Sequence, residues 1–365
     1  MDSTSSDHIF NSFAATTRDD WQKAAVIELD GADPFQKLAF ESGGLSQLPY
    51  YDQQNKSRQE HFQLKPSTNE FLGARSWINM PQIDVNEESH SNQTALFSLN
   101  SGADGIIFNV HNRVPTISAL LEKLEWPYCT ISFAGNISEQ SLKEIHAHAL
   151  EKKYDVTTLA GCVFRNQLPE TRTLTLFENW SNFHPLGTDI EKKESPAEEI
   201  ATALAQAVRQ IDFLTEKGFS VKQALQWQGF KIQIEEDFFL SIAKLKTLRL
   251  LWNNVVAAFD SPPEPVFIHA TSPVWNKKEY QPNGNMLKST TAALSAILGG
   301  CDALTIFPEE NNNTTMTRIA QHVSTVLREE SHQSKVADPT AGSYYLESLI
   351  NQLAAKAWEK FQKMS

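Results

Sequence analysis

The run Phe230-Lys231-Ile232-Gln233-Ile234 is followed by a long apolar-striped segment from about Asp237 to Phe259, and then by Val266-Phe267-Ile268-His269-Ala270-Thr271. The two short runs are rich in β-branched and aromatic residues, as strands are. The segment between them repeats Ile242, Leu245, Leu248, Leu251, Trp252, Val255 and Val256 at helical spacing. A strand, a crossover helix and another strand make a parallel pair, because antiparallel neighbours need only a tight turn.

Outward from this unit the rhythm recurs. Candidate strands are Ser76–Gln82, Gly105–Val110, Cys129–Gly135, Thr157–Phe164, Thr173–Phe177, Phe230–Ile234, Val266–Thr271 and Ala303–Phe307. Eight parallel strands with helices between them predict an α/β fold, a (β/α)8 TIM barrel, whose usual size is ~250 residues. A doubly wound open sheet is the alternative. The Arg165–Arg172 crossover is too short for a full helix and is the weakest place in the pattern. Ser195-Pro196-Ala197-Glu198 reads as a capped helix start, and Gly218 as its stop. Lys244, Lys246 and Arg249 are expected on a solvated or partner-facing side. Residues 1–70 differ in character, with Trp21, Leu29, Phe35, Leu38 and Phe40 followed by Gly43-Gly44 and Pro49-Tyr50-Tyr51. A piece this short cannot bury its own apolar surface, so it is read as an arm lying on the barrel (71–365) or on a neighbouring subunit.

The 365 residues carry 32 Lys+Arg against 44 Asp+Glu, a net charge of −12, with no basic stretch. That argues against nucleic acid and an anionic membrane surface as partners. No apolar run approaches the ~20 residues of a membrane span. Met1–Asp7 is acidic where a secretory leader is basic, and Cys129, Cys162 and Cys301 lie far apart in apolar stretches. They read as reduced, buried thiols of a cytoplasmic protein.

No Gly-rich phosphate loop, H-E-x-x-H or Cys/His zinc spacing occurs, and His146 and His148, two apart on a helix, do not share a face. No metal site is expected. If the apolar strand faces point outward to the helices, Lys231, Gln233 and Glu235 point into the barrel. Thr130, Ser132, Thr173, Thr175, Asn109, His111 and His269 join them. A buried Lys231 needs a carboxylate, with Glu235 or Glu178 the candidates. Two readings follow: a polar plug closing the barrel, or a ligand channel with His111, His184 and Lys231 as acid/base groups.

Longer stretches carry a family resemblance. Ile242-Ala243-Lys244-Leu245-Lys246-Thr247-Leu248-Arg249-Leu250-Leu251-Trp252 resembles the I-A-K-L-R-A-A-R-L-L-W helix of methylmalonyl-CoA mutases. Thr291–Gly300 is similar to T-x-E-A-L-A-A-V-L-G-G, and Val336–Glu347 to V-D-P-W-G-G-S-Y-Y-V-E. The arm resembles that of the small subunit of heterodimeric bacterial mutases through Trp21, Asp30-Gly31, Leu38 and Pro49-Tyr50-Tyr51-Asp52. The resemblance implies a barrel followed by a cobalamin-binding domain, and radical interconversion of methylmalonyl-CoA and succinyl-CoA using adenosylcobalamin.

The departures from the family are as informative. Its cobalamin signature D-x-H-x-x-G is absent, since none of the ten histidines follows an aspartate by two. The catalytic F-H-T-Q-T-S-G aligns on Phe267–Pro273, so the cofactor-facing histidine and glutamine become Ile268 and Ala270. The substrate R-x-S falls on Trp227-Gln228-Gly229, and the tyrosine of R-Q-Y-A-G has no counterpart near Pro81-Gln82-Ile83. G-T-I-Q is replaced around Ala160-Gly161-Cys162. Ser181-Asn182-Phe183-His184 resembles S-G-Y-H, which makes His184 the candidate catalytic residue, in vestigial form. Asn285-Met286-Leu287-Lys288 resembles N-x-x-R, giving Asn285 and Lys288, with Lys231, Gln233 and His269, as candidate substrate contacts. Glu309 or Glu310 matches the carboxylate near the adenosyl group.

The expectation is therefore a non-catalytic small subunit without the cobalamin domain, binding no cofactor alone and paired with a homologous large subunit, or with itself in isolation. The alternatives are an active acyl-CoA mutase component that borrows a separate cobalamin subunit, and an independent CoA-thioester-binding barrel using Lys231, His111 and Glu235.

Overall fold

A computed structural model describes residues 16–55, 63–67, 72–111, 114–165, 167–234, 236–274, 284–310 and 313–364. Strand β1 runs in two pieces, Ile78–Asn79 and Gln82–Val85. The others are β2 Gly105–Val110, β3 Thr130–Gly135, β4 Ala160–Phe164, β5 Asn182–Asp189, β6 Gln228–Gln233, β7 Phe267–Thr271 and β8 Ala303–Thr305. All neighbours pair in parallel in chain order. The ring closes at β1, whose first piece pairs with β8 and whose second pairs with β2. Across the intervening step the Met80 N–H still reaches Leu304 O (3.0 Å), and Pro81 O accepts from the Ile107 N–H (3.1 Å). Proline has no N–H to give, and the break in the ladder falls on it. The result is the expected eight-stranded TIM barrel.

One expected strand is not a strand. Residues 173–177 are helical, Thr171–Leu174 followed by a 3-10 turn Thr175–Phe177. Phe177 and Trp180 recur at three-residue spacing and stack into an aromatic cluster with Phe183 and Trp126; that packing outweighs a five-residue Thr/Leu alternation. Thr173 is therefore buried outside the barrel, and Thr175 is exposed. The true fifth strand, Asn182–Asp189, is disguised by Pro185, Gly187 and Asp189, all poor strand formers. Moving it lengthens the fourth crossover to residues 165–181, which removes the difficulty there.

Local signals place the long helices. Ser195 Oγ accepts from the Glu198 N–H (3.3 Å) to start Pro196–Glu216, which stops before Gly218 at φ +95°. Asp237 caps Phe238–Ala258 by accepting from the Leu240 N–H (3.0 Å). That helix packs against Pro196–Glu216 and Tyr344–Gln362 in one apolar cluster. Its cations are accordingly not solvated, contrary to expectation. Lys244, 1 % exposed, pairs with Glu199 and donates to Gln233 O (2.9 Å). Lys246, 2 % exposed, donates to both oxygens of Asp338 (2.7 and 2.9 Å). Arg249 bonds Gly300 O, Val266 O and Asp302. A helix apolar nearly all round is a buried helix, and its charges persist only because each is paired. Two of the family-like motifs thus meet directly, through Lys246 and Asp338.

The described part of the arm contains a helix Arg18–Glu28 and a hairpin, Phe40–Ser42 with Leu45–Gln47, turned by Gly43 and Gly44 at φ +57° and +74°. The hairpin lies on the last helix and the start of Phe238–Ala258. Gln352 donates to Ser46 O (3.0 Å), Ser42 Oγ to Asp237 (2.6 Å), and Leu45 is fully buried. All three cysteines are free; Cys162 and Cys301 are buried, while Cys129 is only partly so. Burial raises the Cys129 and Cys301 thiols to about 11 and about 12.

Alternation sorts the strand residues as predicted. Phe230, Ile232, Ile234, Ile131 and Phe133 join the outer clusters beneath the helices. Inside, at mid-height, Met80, Ile107, Ala134, Cys162, Phe164 and Ala303 are fully buried, with Phe267 and Ile78 against them. Gly187 and Gly229, partners across β5 and β6, make room for this filling. A Cβ on Gly187 would lie 2.5 Å from Cys162 Sγ and 2.6 Å from Phe164 Cδ1, and one on Gly229 2.8 Å from Cys162 Sγ. The barrel is plugged, and the plug is mainly apolar where a polar one was expected.

Candidate functional site

The C-terminal strand ends form the mouth, where barrels of this class place their sites. At the ends of β1 and β2, Asp84 Oδ1 accepts from Asn109 Nδ2 (2.8 Å) and lies 3.1 Å from His111 Nε2. Both partners of the Asp84–His111 pair are roughly half exposed. They border a cleft of about 360 Å³ that also touches His90, Asn79 and Gln321. Asp84 was missed because β1 was ended at Gln82, two residues short of it. Across the mouth, Lys231 Nζ donates to Asp189 Oδ2 at 2.7 Å, from the neighbouring register position. Of the two expected partners, Glu178 is exposed on another element, and Glu235 lies outside the described residues. Asp189 escaped notice with its strand. Gln233 sits two residues further along β6, level with Thr271, and is partly exposed.

On the rim, Asn285 opens the helix Gly284–Gly299 and donates to Glu309 Oε1 (3.2 Å), which brings together two predicted residues from different motifs. Glu310 accepts instead from Asn313 (3.2 Å), and Lys288 is exposed on the helix.

His269 lies in the plug. Thr305 Oγ1 spends its one proton on Met80 O (2.5 Å), so the 2.7 Å contact with His269 Nε2 has the ring donating. Nδ1 is buried with no partner among the described residues. Burial first, and the Lys231 charge second, hold His269 down at about 3, so it is neutral near pH 7. In the unfolded chain the ring titrates near 6.5. Between that value and about 3 the unfolded state binds a proton that the fold refuses. Stability from this group is thus present above about pH 6.5 and falls with acidification by about 1.4 kcal/mol per pH unit. Urea midpoints measured across this range are expected to show that slope, and His269→Gln to flatten it.

His184 is at the other end of the barrel. It is two residues from the start of β5, stacks on Phe267 (5.5 Å, 14°) and donates from Nδ1 to Gln226 O (2.7 Å). Burial lowers its pKa, partly offset by that hydrogen bond. It lines a cavity of about 440 Å³ at the barrel base with Thr130, Asn182 and Asp302, and the plug separates this space from the mouth. The predicted residues are therefore split between base, plug and rim. Among the described residues no three His, Cys, Asp or Glu side chains are arranged to hold a metal ion, and no helix is long and apolar enough to cross a membrane.

Comparison with known proteins agrees with the motifs. Residues 187–365 match the family model described as methylmalonyl-CoA mutase. The methylmalonyl-CoA mutase small subunit of Porphyromonas gingivalis is 27 % identical over 97 % of this chain and 63 % of its own length. That of Streptomyces virginiae is 38 % identical over 48 % of this chain and 29 % of its own. The chain thus spans less than two thirds of these curated relatives. Among solved structures, a dihydropteroate synthase of Yersinia pestis covers 80 % of this chain and 99 % of its own at 11 % identity, with a TM-score of 0.40, too distant to inform the site. With the motif pair clamped by Lys246 and Asp338, residues 187–365 belong to the methylmalonyl-CoA mutase family.

Proposed function

We propose that this chain is the non-catalytic barrel subunit of a heterodimeric methylmalonyl-CoA mutase, paired in the cytoplasm with a homologous large subunit that interconverts methylmalonyl-CoA and succinyl-CoA. The observation that carries this reading is the filled axis. A substrate threaded along the barrel would have to displace Phe164, Phe267 and Met80, which share one buried cluster with Cys162, and Cys162 and Phe164 fill the space left by Gly187. His269, the imidazole at that level, is held neutral and already bonded to Thr305.

The residues present do not fit adenosylcobalamin. Ile268 and Ala270, at the positions that the resemblance assigns to cofactor-facing groups, are fully buried in the outer core beneath the helices and have no hydrogen-bonding atoms in their side chains. On this reading the cofactor, which supplies the radical chemistry, belongs to the large subunit. This chain contributes an interface and an arm within residues 1–70 that stabilise the catalytic copy by mass action. A component using a separate cobalamin subunit would need an open axis with His184 reaching into it, and the plug weighs against that. The cleft beside Asp84 and His111 favours, in second place, an independent CoA-thioester binder. That reading needs a free Lys231, which Asp189 instead holds.

Titration of the pure chain with adenosylcobalamin and with methylmalonyl-CoA tests the proposal. Neither is expected to bind stoichiometrically, and stoichiometric uptake of adenosylcobalamin would overturn it.

A further inference from the structure

Two neighbouring helices keep an apolar face that the fold leaves uncovered. Met286 and Leu287 on Gly284–Gly299, and Ile319 and Val326 on Thr314–Glu329, are between 36 % and 68 % exposed. Among the described residues no other helix exposes more than one large apolar side chain. The four belong to two stripes: Leu294 and Leu298, partly buried, continue Leu287 at helical spacing, and Val323 lies between Ile319 and Val326. The helices follow the adjacent parallel strands β7 and β8 and pack side by side. Phe97, 48 % exposed, extends the face onto the next helix, Glu88–Asn100, which Gln321 joins by donating to Ser98 O (2.7 Å).

Size and charge both fit a second barrel. Helices of 16 residues are roughly 24 Å long. Three helices about 10 Å apart therefore present a face on the order of 700 Å², near the ~800 Å² that each partner gives to a standard interface. Gly284–Gly299 contains no acid and Thr314–Glu329 only Glu329, against Lys288, Arg318 and Arg328, in a chain of net charge −12. Arg328 is turned inward to Asp104, which leaves Lys288 and Arg318 on the exposed side. An acidic partner is repelled over most of the chain and least here.

Resting on the pairing proposed above, we propose that this face is where the barrel of the homologous large subunit docks, helix pair against helix pair about a pseudo-two-fold axis. Such an axis sets equivalent patches against each other. Apolar stripes are complementary to their own kind, where rows of like charge are not.

Sedimentation of the full chain mixed with a catalytic methylmalonyl-CoA mutase large subunit tests this. Leu287→Glu and Val326→Glu should each weaken the complex about thirtyfold or more, because each puts an unpaired carboxylate inside the interface. Both side chains are already well exposed, so thermal melts of the chain alone should match those of the wild type. Leu150→Glu is the control: Leu150 is 57 % exposed on Glu139–Glu151, the helix after β3 and so across the barrel, and the affinity should not change. A wild-type complex that tolerates both substitutions, or an equal loss from Leu150→Glu, would overturn the docking face and leave the pairing standing. No complex with the wild-type chain would overturn the pairing, and the docking face with it.

Discussion

Phe164→Ala is expected to destabilise the chain by about 3–5 kcal/mol, the cost of removing a fully buried aromatic ring and leaving its volume behind. The ring is wholly inaccessible, 5.7 Å from His269 and 6.4 Å from Phe267 by centroid, and rests over Gly187. Strands cannot move inward to close the gap, because the ladder of the closed ring fixes their spacing. The vacated space, lined by Met80, Ile107, Cys162 and Phe267 with His269 on one side, is mostly apolar and should accept benzene or xenon. Chemical denaturation measures the loss, and ligand-dependent restabilisation identifies the cavity. A loss under about 1 kcal/mol would mean that the site collapses freely and that Phe164 is not the plug.

Asp338→Ala should cost about as much, roughly 3–5 kcal/mol, because it strands the Lys246 ammonium in the core. Burial lowers the Lys246 pKa against the pull of Asp338. Asp338 also accepts from the Leu64 N–H (3.0 Å) and from Thr340 Oγ1 (2.9 Å), so the change releases the segment before the barrel as well. Lys246→Met should cost less, since Asp338 keeps those other donors. Adding Lys246→Met to Asp338→Ala should recover part of the loss, because the ammonium that Asp338 held is then gone from the core. Thermal melts of the three variants measure the order. A double variant less stable than Asp338→Ala alone would show that the stranded ammonium is not what costs the stability.

Much of the fold was legible because its signals are local. Ser195 and Asp237 announce helix starts, and the alternation of Phe230, Ile232 and Ile234 sets one strand and its inward residues. The fifth strand was not legible, because Pro185 and Gly187 are unfavourable by propensity. Gly187 has a tertiary reason to be there: it receives Phe164 and Cys162 from across the sheet. That one error moved two site residues. With a strand at 173–177, His184 follows a strand end and belongs to the mouth; with the strand at 182–189, it drops to the base and Asp189 takes the mouth position. Lys244 and Lys246 misled for a related reason. A lysine reads as solvent-facing until its partner is known, and Glu199 and Asp338 lie 45 and 92 residues away in the chain. Asp84 carries no motif at all, and only the end of β1 reveals it.

Co-expression with a catalytic methylmalonyl-CoA mutase large subunit, followed by purification and assay of the complex, tests the partner role most directly. A one-to-one complex is predicted, active as a complex and inactive as this chain alone. Its activity should be unchanged when His184→Asn and Lys231→Met are introduced here. Failure to copurify, or a fall of about a hundredfold or more from either substitution in a folded complex, the scale of losing an acid/base group, would contradict a non-catalytic barrel.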